Sequence, residues 1–150
     1  MAKATQPMLP AETVLHVRDS CLCLATQRAA RRLARRFDAV LKPVGLTNGQ
    51  FSLMVALNQS EPPSMGSLAP LLGMEASTLT AAVKPLARRG LLRVAPDPED
   101  GRSRHLIITS EGAALLNRAV TIWRSEHAAL EAAMTAGSAK ALCEALAEIK

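Results

Sequence analysis

The sequence predicts a mainly α fold interrupted by one small β-hairpin, and three observations carry that expectation. The run from Glu12 to Lys42 contains neither Gly nor Pro and reads as one long helix. Only Leu91 to Ala95 and His105 to Thr109 form neighbouring runs rich in branched residues joined by a Gly-bearing turn, the pattern of a hairpin. An apolar content of 49% over 150 residues is enough for one core and too little chain for two, so a single domain is the default.

The first helix is expected to start after Pro10 and to stop at Pro43 and Gly45. At 1.5 Å per residue it would extend about 45 Å, more than so short a chain needs for itself, which suggests an intersubunit role. Met1 to Pro10, ahead of it, lacks the features of a secretory signal and reads as a short arm. Thr47 to Gln50 (TNGQ) is a capping box opening a short helix to about Leu57, with Phe51, Met54, Val55 and Leu57 as its buried face. Glu61 to Ser64 breaks the chain. Ser64 caps or precedes a helix over Ser67 to Leu72, whose Leu68, Leu71 and Leu72 are expected to face inward. Gly73 to Glu75 is a turn, and Ala76 to Arg89 a further helix ended by Gly90, with Leu79, Val83 and Leu86 on the core side. Two short helices, a tight Gly turn and small polar residues opening the second helix have the shape of a helix-turn-helix, and the hairpin after it is a wing. Thr109 or Ser110 then caps a long helix to about Ala136. Gly137 and Ser138 break it, and a last helix runs to Lys150. Both are amphipathic, with Trp123, Leu142, Leu146 and Ile149 among the residues available for an apolar seam.

Charge and composition narrow the function classes. No run approaches the roughly 18 apolar residues of a membrane span, so no membrane role and a cytoplasmic location are expected. The net charge is +5, and it is uneven: residues 1–110 hold 14 Lys/Arg against 8 Asp/Glu, residues 111–150 hold 4 against 5. A basic front and middle point to an acidic partner. Aromatic content of 2% and the lack of tyrosine argue against stacking platforms for single strands or RNA, leaving duplex DNA as the better candidate.

On the second helix of the pair, Ser77, Thr78, Thr80, Ala81 and Lys84 share a face on which short hydroxyls suit base edges and a lysine suits a phosphate. Hydroxyl residues at a helix start also serve merely as caps; the wing directly downstream tips the reading toward DNA. Arg102 and Arg104 stand at the hairpin tip, where an arginine can enter the narrow minor groove, and Asp100 is a candidate for orienting the Arg102 guanidinium. Arg88, Arg89 and Arg93 flank the other side as phosphate contacts, which position a protein without reading sequence. Two irregularities stand out. Glu75 is a poor cap, and Pro85 inside the helix removes a donor and crowds the Ala81 carbonyl, predicting a bend.

The stretch from Leu46 to Leu116 resembles the MarR (multiple antibiotic resistance regulator) family, and the flanking helices are similar too. The closest match is Asp97 to Arg104 (DPEDGRSR) followed by Ile108 to Gly112 (ITSEG), an Asp-x-Arg wing and a Thr-x-x-Gly entry into the next helix. Ala76 to Thr80 (ASTLT) through Leu86 to Leu92 (LARRGLL) resembles the recognition helix and its turn into the wing. The resemblance implies a winged helix-turn-helix lobe over residues 46–110, with dimerisation helices at residues 1–45 and 111–150. It also implies a homodimer presenting two recognition helices to successive major grooves of a pseudo-palindromic operator, roughly 34 Å apart. Repression of transcription is the commoner mode in the family.

Members of that family typically respond to small ligands or oxidants. Phe37, Phe51, Met54 and Trp123 are the candidate effector lining, with Arg36 and His127 as polar contacts; the same apolar residues are equally suited to a core. Cys23 stands at a distance from the Gly45 turn similar to that of the reactive cysteine in the organic-hydroperoxide-sensing branch, although the tyrosines of that branch are lacking here. Peroxide sensing through Cys23 is therefore an alternative, as is a winged-helix module that binds only proteins. Cys21 and Cys23, two apart on one helix, would project about 200° from each other, which disfavours a disulfide or a shared metal ion. No carboxylate pair, Ser/His/Asp set or phosphate-binding Gly loop appears, so neither an enzyme nor a cofactor or metal is expected.

Overall fold

The computed structural model describes residues 8–135 and 137–149, which divide into two compact units between Arg36 and Phe37. Residues 1–7 of the expected arm, Ala136 at the expected end of the long helix, and Lys150 lie outside the described residues. Among the described residues no helix is long and apolar enough to cross a membrane.

The first unit corrects the single long helix. Helix α1 covers Ala11–Ser20, Cys21 adopts an extended conformation (φ −75°, ψ 108°), and α2 restarts at Leu22 and runs to Leu41. Neither Gly nor Pro marks the break. At the break the Ser20 hydroxyl donates to the His16 carbonyl at 2.6 Å, while the Cys21 N–H still donates to the Val17 carbonyl. α1 buries none of its residues, and Val14, Leu15 and Val17 remain exposed. Because Cys21 sits at the break, the 200° projection expected of the Cys21 and Cys23 pair does not apply. Cys21 is half-buried, and Cys23 and Cys143 are exposed thiols.

In the second unit the end of α2 turns through a 3₁₀ segment, Lys42–Val44, into Gly45 at φ 66°, ψ 30°, a left-handed conformation that glycine takes without a Cβ clash. The Asp38 carboxylate accepts from the Asn48 N–H at 2.6 Å, tying α2 to the start of α3 (Asn48–Leu57). The capping box is present as expected: Gln50 N–H donates to Thr47 Oγ1 and the Gln50 side chain accepts from Thr47 N–H. Ser64 caps α4 (Met65–Leu72), which Gly73 closes in a left-handed turn, and α5 spans Ala76–Arg88. Pro85 does not end α5, and Glu75 makes no side-chain cap bond.

Strands β1 (Leu92–Pro96) and β2 (Arg104–Ile108) pair antiparallel with Val94 opposite Leu106. A contact the sequence did not reveal widens the hairpin: Ser64 bridges His105, and the Leu106 N–H donates to the Pro63 carbonyl. α6 covers Ser110–Ala132, ending before the expected Ala136, and α7 covers Ala139–Ala147 behind a Ser138 cap. One core joins α3 to α6, the hairpin and the end of α2, with Leu41, Leu53, Met54, Leu68, Leu79, Leu86 and Leu106 fully enclosed, while α7 buries none of its residues. Two expected inward residues are exposed, Val55 at 46% and Leu71 at 65%. On α3, Leu53 takes the interior place instead, because that helix is covered on more than one side.

Candidate nucleic-acid interface

α5 is seated by Leu79, Val83 and Leu86, which are buried, and this turns Ser77, Thr78, Thr80, Ala81, Lys84 and Arg88 outward. The face is chemically the expected one, small hydroxyls followed by cations. Thr80 Oγ1 donates to the Ala76 carbonyl at 2.9 Å, a bond within the helix that leaves the first-turn N–H groups uncapped.

The wing tip is ordered by two aspartates. Asp97 Oδ1 accepts from the Glu99 and Asp100 N–H groups, and Asp97 Oδ2 meets His105 Nε2 at 2.9 Å. These contacts, the Glu99 N–H first among them, hold the Asp97 carboxyl below the ordinary aspartate range. Asp100 acts on Arg102 through the main chain, accepting from its backbone N–H at 3.0 Å, a different contact from the guanidinium pairing expected. The Arg102 side chain is thus displayed by a fixed backbone. Arg104 Nη1 donates to the Gly101 carbonyl at 3.2 Å, so this arginine also braces the turn, and Arg93 is exposed on β1.

Between α4, α5 and the wing lies a cleft of about 790 Å³ that sequence reading missed. Met65, Ala69, Met74 and Val94 give it apolar walls, and Thr80, Lys84, Arg102 and Arg104 from the two candidate DNA-reading elements border it. The fold therefore brings the helix residues and the wing arginines around one concavity. No periodicity marks such a cleft, because its walls come from three elements.

Arg89 is placed differently. Its Nη1 donates to the Gly45 carbonyl at 2.7 Å. In the candidate effector cluster, Phe37, Phe51 and Met54 are buried in the core. Trp123, half-buried, stacks on Phe51 with ring centroids 6.2 Å apart and also meets the His127 ring at 4.6 Å.

A model of the MarR family matches residues 46–103. The M. tuberculosis transcriptional regulator MosR, solved in complex with DNA, is 35% identical with a TM-score of 0.79, over 87% of this chain and 93% of that one. The transcriptional repressor CouR, bound to a 23-mer DNA duplex, is 26% identical with a TM-score of 0.73, over 95% and 96% of the two chains. The organic hydroperoxide resistance transcriptional regulator of Bacillus subtilis is 26% identical over 104 residues, 69% of this chain and 71% of its own. The family match over residues 46–103 and the likeness to MosR over nearly its whole length together establish that the chain belongs to the MarR family of transcription regulators.

Proposed function

We propose that the chain acts in the cytoplasm as a homodimer that binds a pseudo-palindromic operator in duplex DNA and represses transcription until a small-molecule effector releases it. The observation that carries this reading is the cleft bordered by both Thr80 and Lys84 of α5 and Arg102 and Arg104 of the wing. α5 enters the major groove with Ser77, Thr78, Thr80 and Ala81 toward base edges and Lys84 and Arg88 toward phosphates, while Arg102 reaches the adjacent minor groove. Residues 46–110 form the DNA-binding lobe; residues 1–45 and 111–150 dimerise. Exposed Val14, Leu15 and Val17 on α1 and Leu142 and Leu146 on α7 support that assignment, since a second copy would remove them from water. Effector binding is assigned to the neighbourhood of Phe37, Phe51, Met54 and Trp123. The effector releases DNA by preferring a spacing of the two lobes that the operator does not fit.

The test is binding to duplexes from the protein's own upstream region across a salt series, with Arg102→Ala alongside. Affinity is expected to fall about tenfold or more in the variant, with the salt slope shallower by about 0.9 per protomer for each phosphate that the missing guanidinium leaves unneutralised. Equal, weak binding of both proteins to every duplex would sink the specific-regulator reading.

A second reading keeps the fold and makes Cys23 an oxidant sensor. It is favoured by the exposure of the Cys23 thiol and by the name of the Bacillus subtilis relative. Peroxide treatment would then abolish operator binding by the parent and leave Cys23→Ser unaffected; identical responses of the two would exclude it.

A further inference from the structure

α5 ends at Arg88, and the three residues after it are pinned from two sides. On one side, Arg89 Nη1 donates to the Gly45 carbonyl at 2.7 Å, and Arg89 Nη2 lies 3.3 Å from where a Cβ on Gly45 would stand. The guanidinium therefore lies against the bare face of the left-handed turn that follows α2, a fit that a planar fork makes and an ammonium does not. On the other side, the Gly90 carbonyl accepts from Thr109 Oγ1 at 2.6 Å and the Leu91 carbonyl accepts from the Thr109 N–H at 3.1 Å. Thr109 is the N-cap of α6. Residues 89–91 thus join the exit of α5 to the end of α2 and to the start of α6.

A phosphate contact is the obvious role for an exposed arginine beside a recognition helix, but here the guanidinium already donates to a main-chain carbonyl. We propose instead that Arg89 is a positioning residue. Through the Gly45 carbonyl it fixes the direction of α5 relative to the turn that closes α2, and so sets the separation of the two recognition helices across the dimer. This inference rests on the DNA-binding reading above. A charge-assisted bond to a carbonyl is strong enough for the purpose, and its partners lie on elements that the reading places on opposite sides of the spacing switch.

The experiment uses the full chain and a set of duplexes whose half-site separation is shortened or lengthened by one base pair, each titrated across a salt series. Three variants are compared: Arg89→Met, Gly45→Ala and, as the direct-contact reference, Arg102→Ala. Arg89→Met is expected to bind the preferred spacing about tenfold more weakly, to lose discrimination between spacings, and to keep the parent salt slope. Gly45→Ala crowds the guanidinium and strains the turn without removing any charge, and it is expected to move spacing preference in the same direction. A shallower slope in Arg89→Met, by about 0.9 per protomer and with spacing preference intact, would make Arg89 a phosphate contact and overturn the proposal. So would parent-like binding by either variant. Should Arg89→Met fail to fold by circular dichroism, Gly45→Ala decides alone: flattened spacing preference supports positioning and retained preference overturns it. Absence of specific binding by the parent would instead overturn the DNA-binding reading, and this inference with it.

Discussion

Replacing Gly112 by alanine is expected to destabilise the protein by about 3 kcal/mol, against the ordinary rule for a helix. Inside an exposed helix the same change would stabilise by up to about 1 kcal/mol, because alanine has the higher propensity and the smaller unfolded-state entropy. Here an added Cβ would stand 2.0 Å from the Leu91 carbonyl oxygen and 2.9 Å from its carbon. Neither atom belongs to a side chain that can rotate away. The first turn of α6 must move, and that movement pulls on Thr109, whose N–H donates to the same Leu91 carbonyl and whose hydroxyl donates to Gly90 and caps Gly112. A melting temperature lowered by roughly 6–12 °C is expected for a chain of this size. An unchanged or raised value would mean that the close approach of α6 to the Leu91 backbone does not constrain the fold, and that propensity alone governs the position.

The Thr-x-x-Gly entry into α6 was visible in the sequence as a pattern, and the structure supplies its physics. Thr109 is both cap and bridge, and Gly112 is small because the Leu91 backbone, one residue before β1, passes against it. Signals that act within a few residues were the legible ones: the capping box at Thr47 and Gln50, the left-handed stops at Gly45 and Gly73, and the branched runs of the wing. The break at Cys21 left no such trace, since neither Gly nor Pro stands there. Leu71 and Val55 were misplaced because apolar spacing gives a helix face but not the number of neighbours that cover it. Arg89 shows the same limit at the site: clustering with Arg88 and Arg93 is visible in the chain, whereas its bond to the Gly45 carbonyl at 2.7 Å is made only by folding. The residue types of the proposed DNA-facing surface could be read from the chain, whereas the pairings around the wing tip, Asp100 to the Arg102 backbone and Asp97 to His105, are matters of turn geometry.

Leu79→Ala is expected to cost about 3 kcal/mol and, under the proposed function, to weaken operator binding without altering any side chain that touches DNA. Leu79 is fully buried, at 0% exposure, beneath the first turns of α5. That part of the helix has little else to hold it, because Glu75 provides no cap and Thr80 bonds only within the helix. Farther along, Pro85 supplies no N–H to the Ala81 carbonyl, so the second half of α5 also relies on Val83 and Leu86 against the core. Truncation at Leu79 removes the anchor nearest Ser77, Thr78 and Thr80, and the cavity it leaves lets those residues drift from the register that a groove demands. The melting temperature should fall by roughly 6–12 °C. Measured well below that transition, affinity should drop while the salt slope stays at the parent value, since every lysine and arginine remains. A lowered melting temperature with parent affinity would show that α5 is held by the DNA itself once bound, and that the seating of the free helix plays no part in recognition.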